Sequence, residues 1–90
     1  MALCTAELSL YPLANDYLSV IKGFINKLHG YPELEIVTTT TSTQVRGEYS
    51  HLFAILAREI ETLHETTGQA ILVCKFLAGE QVAPGLYKDE

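Results

Sequence analysis

Positive charge is scarce in this sequence. Ninety residues carry six Lys and Arg against eleven Asp and Glu, a formal net charge of −5. No basic cluster occurs, which argues against a nucleic-acid surface, because phosphates need cations to neutralise them. A negative field mildly favours cationic ligands. Long apolar runs are missing too. None approaches the roughly 20 residues that a membrane helix needs, so no membrane insertion is expected. The start, Met1-Ala2-Leu3-Cys4, shows neither a positive n-region nor an apolar h-region. No signal peptide is therefore expected, and the default compartment is the cytoplasm.

Chemistry-bearing motifs are equally sparse. Cys4 and Cys74 form no CxxC pair, so neither a redox nor a zinc motif is supported, and buried free thiols are expected. His29, His51 and His64 are scattered without an HExxH spacing, which leaves no expected metal site. The six glycines are isolated, so no phosphate-cradling loop exists. No nucleophile sits with a base and an orienter. Glu59, Glu61 and Glu65 line one helix face, which reads as solvated surface. The expectation is a protein without enzymatic activity and without a cofactor.

What is present is an ordinary globular chain. Apolar residues make up 48%, which excludes a disordered composition. A chain this short buries a small fraction of its surface, so an oligomer is a natural source of further burial.

The periodicities give an element order. From Leu3 to Tyr11, Cys4, Ala6, Leu8 and Leu10 alternate with Thr5, Glu7, Ser9 and Tyr11, which reads as a strand that Pro12 closes. Residues 15–30 read as a helix, with Asn15 or Asp16 as cap and Leu18, Ile21, Ile25 and Leu28 as its stripe. Gly30 is a natural stop, and Pro32 prevents continuation. The β-branched stretch 34–46 reads as two short strands with a turn inside the Thr run. Gly47 breaks that pattern. Ser50 caps a second helix to about Glu65, with a stripe of Leu52, Phe53, Leu56, Ile60 and Leu63. Ala70–Leu77 is apolar on both parities except Lys75, a strand covered on both faces. Residues 1–79 are read as one ligand-binding domain and 80–90 as a tail or oligomer arm.

The order β-α-β-β-α-β predicts an α+β, ferredoxin-like fold: a four-stranded antiparallel sheet with two helices on one face. The other face is bare unless something covers it. Thr5, Glu7, Ser9 and Tyr11 fall there, with Ile71, Val73 and Leu77 or the opposite parity of that strand. An exposed apolar face of this kind marks an interface, and a C2 homodimer is the simplest occupant. Glu7, Ser9, Ser42, Gln44 and Arg46 can project from it together. One reading makes them polar groups of a small-molecule pocket; the other pairs Glu7 with Arg46 at a dimer seam. Thr39, Thr40 and Ser42 crowd hydroxyls at the turn, and hydroxyls both donate and accept, which suits a neutral heterocycle. His51 opens the second helix close to Arg46 and can contact a ligand there.

Several stretches resemble a known family. Leu8-Ser9-Leu10-Tyr11-Pro12-Leu13, Asp16-Tyr17-Leu18-Ser19-Val20-Ile21-Lys22, Ser42-Thr43-Gln44-Val45-Arg46-Gly47 and His51-Leu52-Phe53 together look like the YkoF-type thiamine/hydroxymethylpyrimidine-binding family. The resemblance implies a ferredoxin-like unit that binds thiamine, or its hydroxymethylpyrimidine precursor, through the aminopyrimidine part. It also implies a link to thiamine-precursor uptake, with a precursor transporter as partner. Family members often fuse two such units in tandem, so a single unit implies a homodimer. Ser42 carries over best as a ligand contact. Ser9, Tyr11, Thr43, Arg46 and His51 match by position, whereas Glu7 and the Thr38–Thr41 run depart from the pattern. The competing reading is an ACT-like regulatory or protein-interaction domain with no heterocycle ligand. It predicts a dimer face filled by side chains.

Overall fold

The computed structural model describes residues 2–40 and 42–79. The expected tail, 80–90, lies outside the described residues. The elements follow the order β1 (Leu3–Pro12), α1 (Tyr17–His29), β2 (Glu35–Thr38), β3 (Thr43–Glu48), α2 (Tyr49–Thr67) and β4 (Ala70–Leu77). The sheet order is β2-β3-β1-β4, with every pairing antiparallel. This is the ferredoxin-like arrangement, and the alternation of β1 is its cause. Cys4, Ala6 and Leu8 turn toward the helices and are buried with Val45, Phe24, Leu28, Leu52, Ile55, Leu56 and Leu63.

Cross-strand partners share a face. Glu7 lies opposite Gln44 and Lys75, Ser9 opposite Val73, and Tyr11 opposite Ile71. The open face of β4 is therefore Ile71, Val73, Lys75 and Leu77. Phe76 falls on the helix side, where it stacks on Phe53 of α2 with ring centroids 4.6 Å apart.

Five local expectations are corrected. Glu59 is not solvated surface: it is buried, and its Oε2 accepts from the Tyr31 hydroxyl at 2.6 Å. β4 is an edge strand bare on its open face, not a strand covered on both faces. Gly47 does not break the strand; it is the fifth residue of β3, buried, opposite Cys4. A Cβ there would stand 2.7 Å from Leu34 Cδ2, against an ordinary 4.0 Å from Leu52 Cβ of α2, so the missing side chain lets the buried Leu34 pack directly on β3. Ser50 is not the cap of α2. Glu48 is, accepting from the His51 N–H at 3.1 Å and from the Ser50 hydroxyl at 2.7 Å. Asp16 stands at the N-cap of α1 but makes no side-chain capping bond. The two cysteines are free: Cys74 lies opposite Leu8, while Cys4 lies four residues further along β1. Burial pushes both thiols up from the ordinary cysteine value, which leaves them weak nucleophiles.

The Glu48 cap carries a pH dependence. The Ser50 hydroxyl bond, then the His51 N–H, hold its carboxyl below the usual range. A depressed carboxylate contributes its stability fully above the unfolded Glu value of about 4.3 and loses it as pH falls through the folded value. Glu48→Gln is expected to lower the melting temperature at pH 7 and to leave less of it to lose on acidification. Thermal melts of both proteins across the acid range check this; parallel curves would refute it.

Candidate functional site

The hydroxyl-rich turn and the end of β1 enclose a cavity. β1 outruns β3: their pairing stops at Leu8 and Thr43, while β4 continues along β1 to Pro12. A notch is left beside Ser9, Leu10 and Tyr11. The β2–β3 turn closes its side and α1 roofs it. The resulting cavity of about 250 Å³ is lined by Leu8, Ser9, Leu10 and Tyr11 of β1, by Leu18, Ile21, Phe24, Ile25 and Leu28 of α1, and by Thr38, Thr39, Thr40, Ser42 and Thr43. That volume lies just below the usual range of about 300–1,000 Å³, and suits a single-ring ligand.

The polar part is organised. The Thr39 N–H donates to the Ser42 carbonyl at 2.8 Å, and the Ser42 N–H to Thr39 Oγ1 at 3.2 Å, which fixes the turn. Thr38 and Thr43 hydroxyls lie 3.3 Å apart across the two strands. The Ser42 hydroxyl donates to Glu7 Oε2 at 3.2 Å, and Lys75 Nζ lies 3.9 Å from Glu7 Oε1. Glu7 thus stands behind Ser42 on the open face, at the cavity's edge. None of the described lining residues is charged, while leucine, isoleucine and phenylalanine make the wall. Such a lining favours a neutral, planar group that can donate and accept.

Ser9, Tyr11, Thr40, Ser42 and Thr43 are therefore brought together in one cavity, with Glu7 adjoining. Arg46 and His51 are not. β3 runs away from the turn, so both sit at its far end. Arg46 Nε donates to Glu35 Oε1 at 2.6 Å, and a second guanidinium nitrogen also reaches that oxygen. His51 is exposed in the first turn of α2, with Nδ1 3.8 Å from Glu48 Oε1. The apolar wall from α1 was read from sequence as ordinary core. One signal separates it: Leu18, at the outer end of the stripe, and Tyr11 are both more than half exposed at the cavity mouth. Among the described residues no group of three His, Cys, Asp or Glu gathers to hold a metal ion. No helix among them is long and apolar enough to cross a membrane.

The architecture and this cavity define a single ferredoxin-like unit with a ligand-sized hollow at one end of its sheet. The chain belongs to the YKOF-related family, whose model matches residues 3–80. Solved structures share the fold. A Streptococcus pneumoniae protein is 24% identical, with 91% of this chain and 92% of that chain covered and a TM-score of 0.78. A Thermotoga maritima protein described as a candidate for thiamine biosynthesis or salvage is 16% identical, with 89% and 90% covered and a TM-score of 0.79. A domain of unknown function from Bacillus cereus is 18% identical, with 98% and 92% covered and a TM-score of 0.79. No curated protein matches.

Proposed function

We propose that this protein binds thiamine or its hydroxymethylpyrimidine precursor without transforming it, and serves thiamine-precursor uptake or homeostasis. The observation that carries this reading is the cavity: hydroxyls on one side, an aliphatic and aromatic wall on the other, and no charged lining residue among those described. An aminopyrimidine is flat and carries donor and acceptor atoms on one edge. Family membership and the description of the Thermotoga maritima relative point the same way. The cationic thiazolium of thiamine would lie outward, on the Glu7 side. The ligand needs no cofactor and no metal on this account.

The same reading makes the protein a homodimer through the open sheet face. Tyr11, Ile71, Val73 and Leu77 are exposed there. Thr5 Oγ1 and Gln44 Oε1 are buried on that face without a hydrogen-bond partner. Those two atoms are already closed off within the single chain, so what a second copy supplies is cover for the exposed apolar side chains.

Isothermal titration with thiamine and with the free hydroxymethylpyrimidine tests the ligand. Both should bind at one site per chain. Ser42→Ala should weaken both about tenfold, the worth of one hydrogen bond, with the fold unchanged by circular dichroism. Undiminished affinity in that variant would remove Ser42 from the site. No binding of either compound to the native protein would leave the interaction domain as the better account.

A further inference from the structure

One side of the cavity is the stretch of β1 that outruns β3. β1 has β3 beside it only as far as Leu8, so Ser9, Leu10 and Tyr11 have a strand neighbour on the β4 side alone among the described residues. All three line the cavity. Along a strand, each residue directs its N–H and C=O to the same side, and successive residues alternate. The stretch therefore offers the notch at least one N–H and C=O pair that no described strand takes up. Strand edges of this kind ordinarily recruit another strand. Here they cannot: the edge is three residues long, Pro12 ends it without an N–H, and α1 covers it. A strand of ordinary length, about five to six residues, does not fit.

We infer that this bare edge of β1 is the specificity element of the site, and that it reads an amidine-like edge, an exocyclic N–H beside a ring nitrogen, by two backbone hydrogen bonds. The exocyclic N–H donates to the strand carbonyl, and the strand N–H donates to the ring nitrogen. The hydroxyls of Thr40 and Ser42 stand across the cavity and meet the rest of the ring. This deepens the reading above and rests on it. Its distinctive consequence is that the ligand class is set by the main chain. Heterocycles with an adjacent donor and acceptor are accepted as a class, and those lacking the donor are rejected, because the buried carbonyl is then left unpaired.

Two probes of equal shape decide it: 4-amino-2-methylpyrimidine and 2,4-dimethylpyrimidine, in which a methyl group replaces the amino group. Titrations are followed by amide resonances of the native, isotope-labelled full chain. The amino compound should move an amide proton within Ser9–Tyr11 downfield and slow its exchange with solvent. The methyl compound should bind about tenfold more weakly or worse, and leave that amide unshifted. Equal affinity for the two compounds overturns the inference. So does binding of the amino compound that shifts only the amides of the 38–43 turn. Failure of the proposed function looks different: neither probe, nor thiamine, moves any resonance around the cavity.

Discussion

Leu52→Ala should remove about 2–5 kcal/mol of folding stability. Leu52 is fully buried in the first turn of α2. It belongs to the core formed with Cys4, Ala6, Leu34 and Val45, so truncation opens a void between helix and sheet. The backbone of β3 cannot rise to fill it without breaking its pairing with β1. A small domain has only about 5–15 kcal/mol in total, and this one, with limited burial, sits toward the lower end. The variant should therefore show a large drop in denaturation midpoint at an unchanged slope. Leu13→Ala is the matched control: Leu13 is 62% exposed, and its truncation should stay within about 0.5 kcal/mol. A loss at Leu52 below about 1 kcal/mol would mean that the helix and sheet do not meet there as described.

The residues that carry this packing were largely legible in the sequence. Period-two alternation in β1 announced which side chains face the helices, and the 3.6-residue stripes announced α1 and α2. The failures share a cause. Gly47 looks like a breaker by propensity, yet a buried close approach needs the absence of a side chain, and that need arises only once Leu34 lies against it. The cap of α2 was misplaced because cap identity depends on where the preceding strand ends. Ser50 has the better intrinsic capping chemistry, but it falls two residues too late. It instead supports the carboxylate that caps.

The site shows the same division. Hydroxyls crowded at a turn marked Thr39, Thr40 and Ser42, the family resemblance added Ser9, Tyr11 and Thr43, and all six line one cavity. The hollow itself was not legible, because it exists through a difference in length between two pairings of β1. No local pattern records that β3 stops at Thr43 while β4 continues to Pro12. Arg46 was grouped with these residues by its place on the open face, His51 by its closeness to Arg46, and both by the family resemblance. Between Thr43 and Glu48, however, an extended strand advances about 3.3 Å per residue, which carries them to the other end of the sheet.

Val73→Asp should convert the proposed homodimer to a monomer while preserving the fold. Val73 lies opposite Ser9 on the open face and is 44% exposed in the single chain. It stands among Tyr11, Ile71 and Leu77, the apolar surface that a second copy would cover. In a two-fold assembly one substitution places two new carboxylates in the interface, close to the Glu7 already there. Like charges brought together while losing water cost several kcal/mol, enough to weaken association about a hundredfold or more. Light scattering across a concentration series checks this, with circular dichroism confirming the fold. A native protein that stays monomeric at high concentration removes the dimer; an unaffected dimer in the variant moves its interface off this face. The variant also reports on the ligand. Tyr11 belongs to both surfaces, since it pairs with Ile71 on the open face and lines the cavity mouth. A monomer should therefore bind the pyrimidine more weakly than the dimer. Equal affinity in both would show that a single chain completes the site by itself, which the unpaired edge of β1, lying wholly within one chain, makes physically possible.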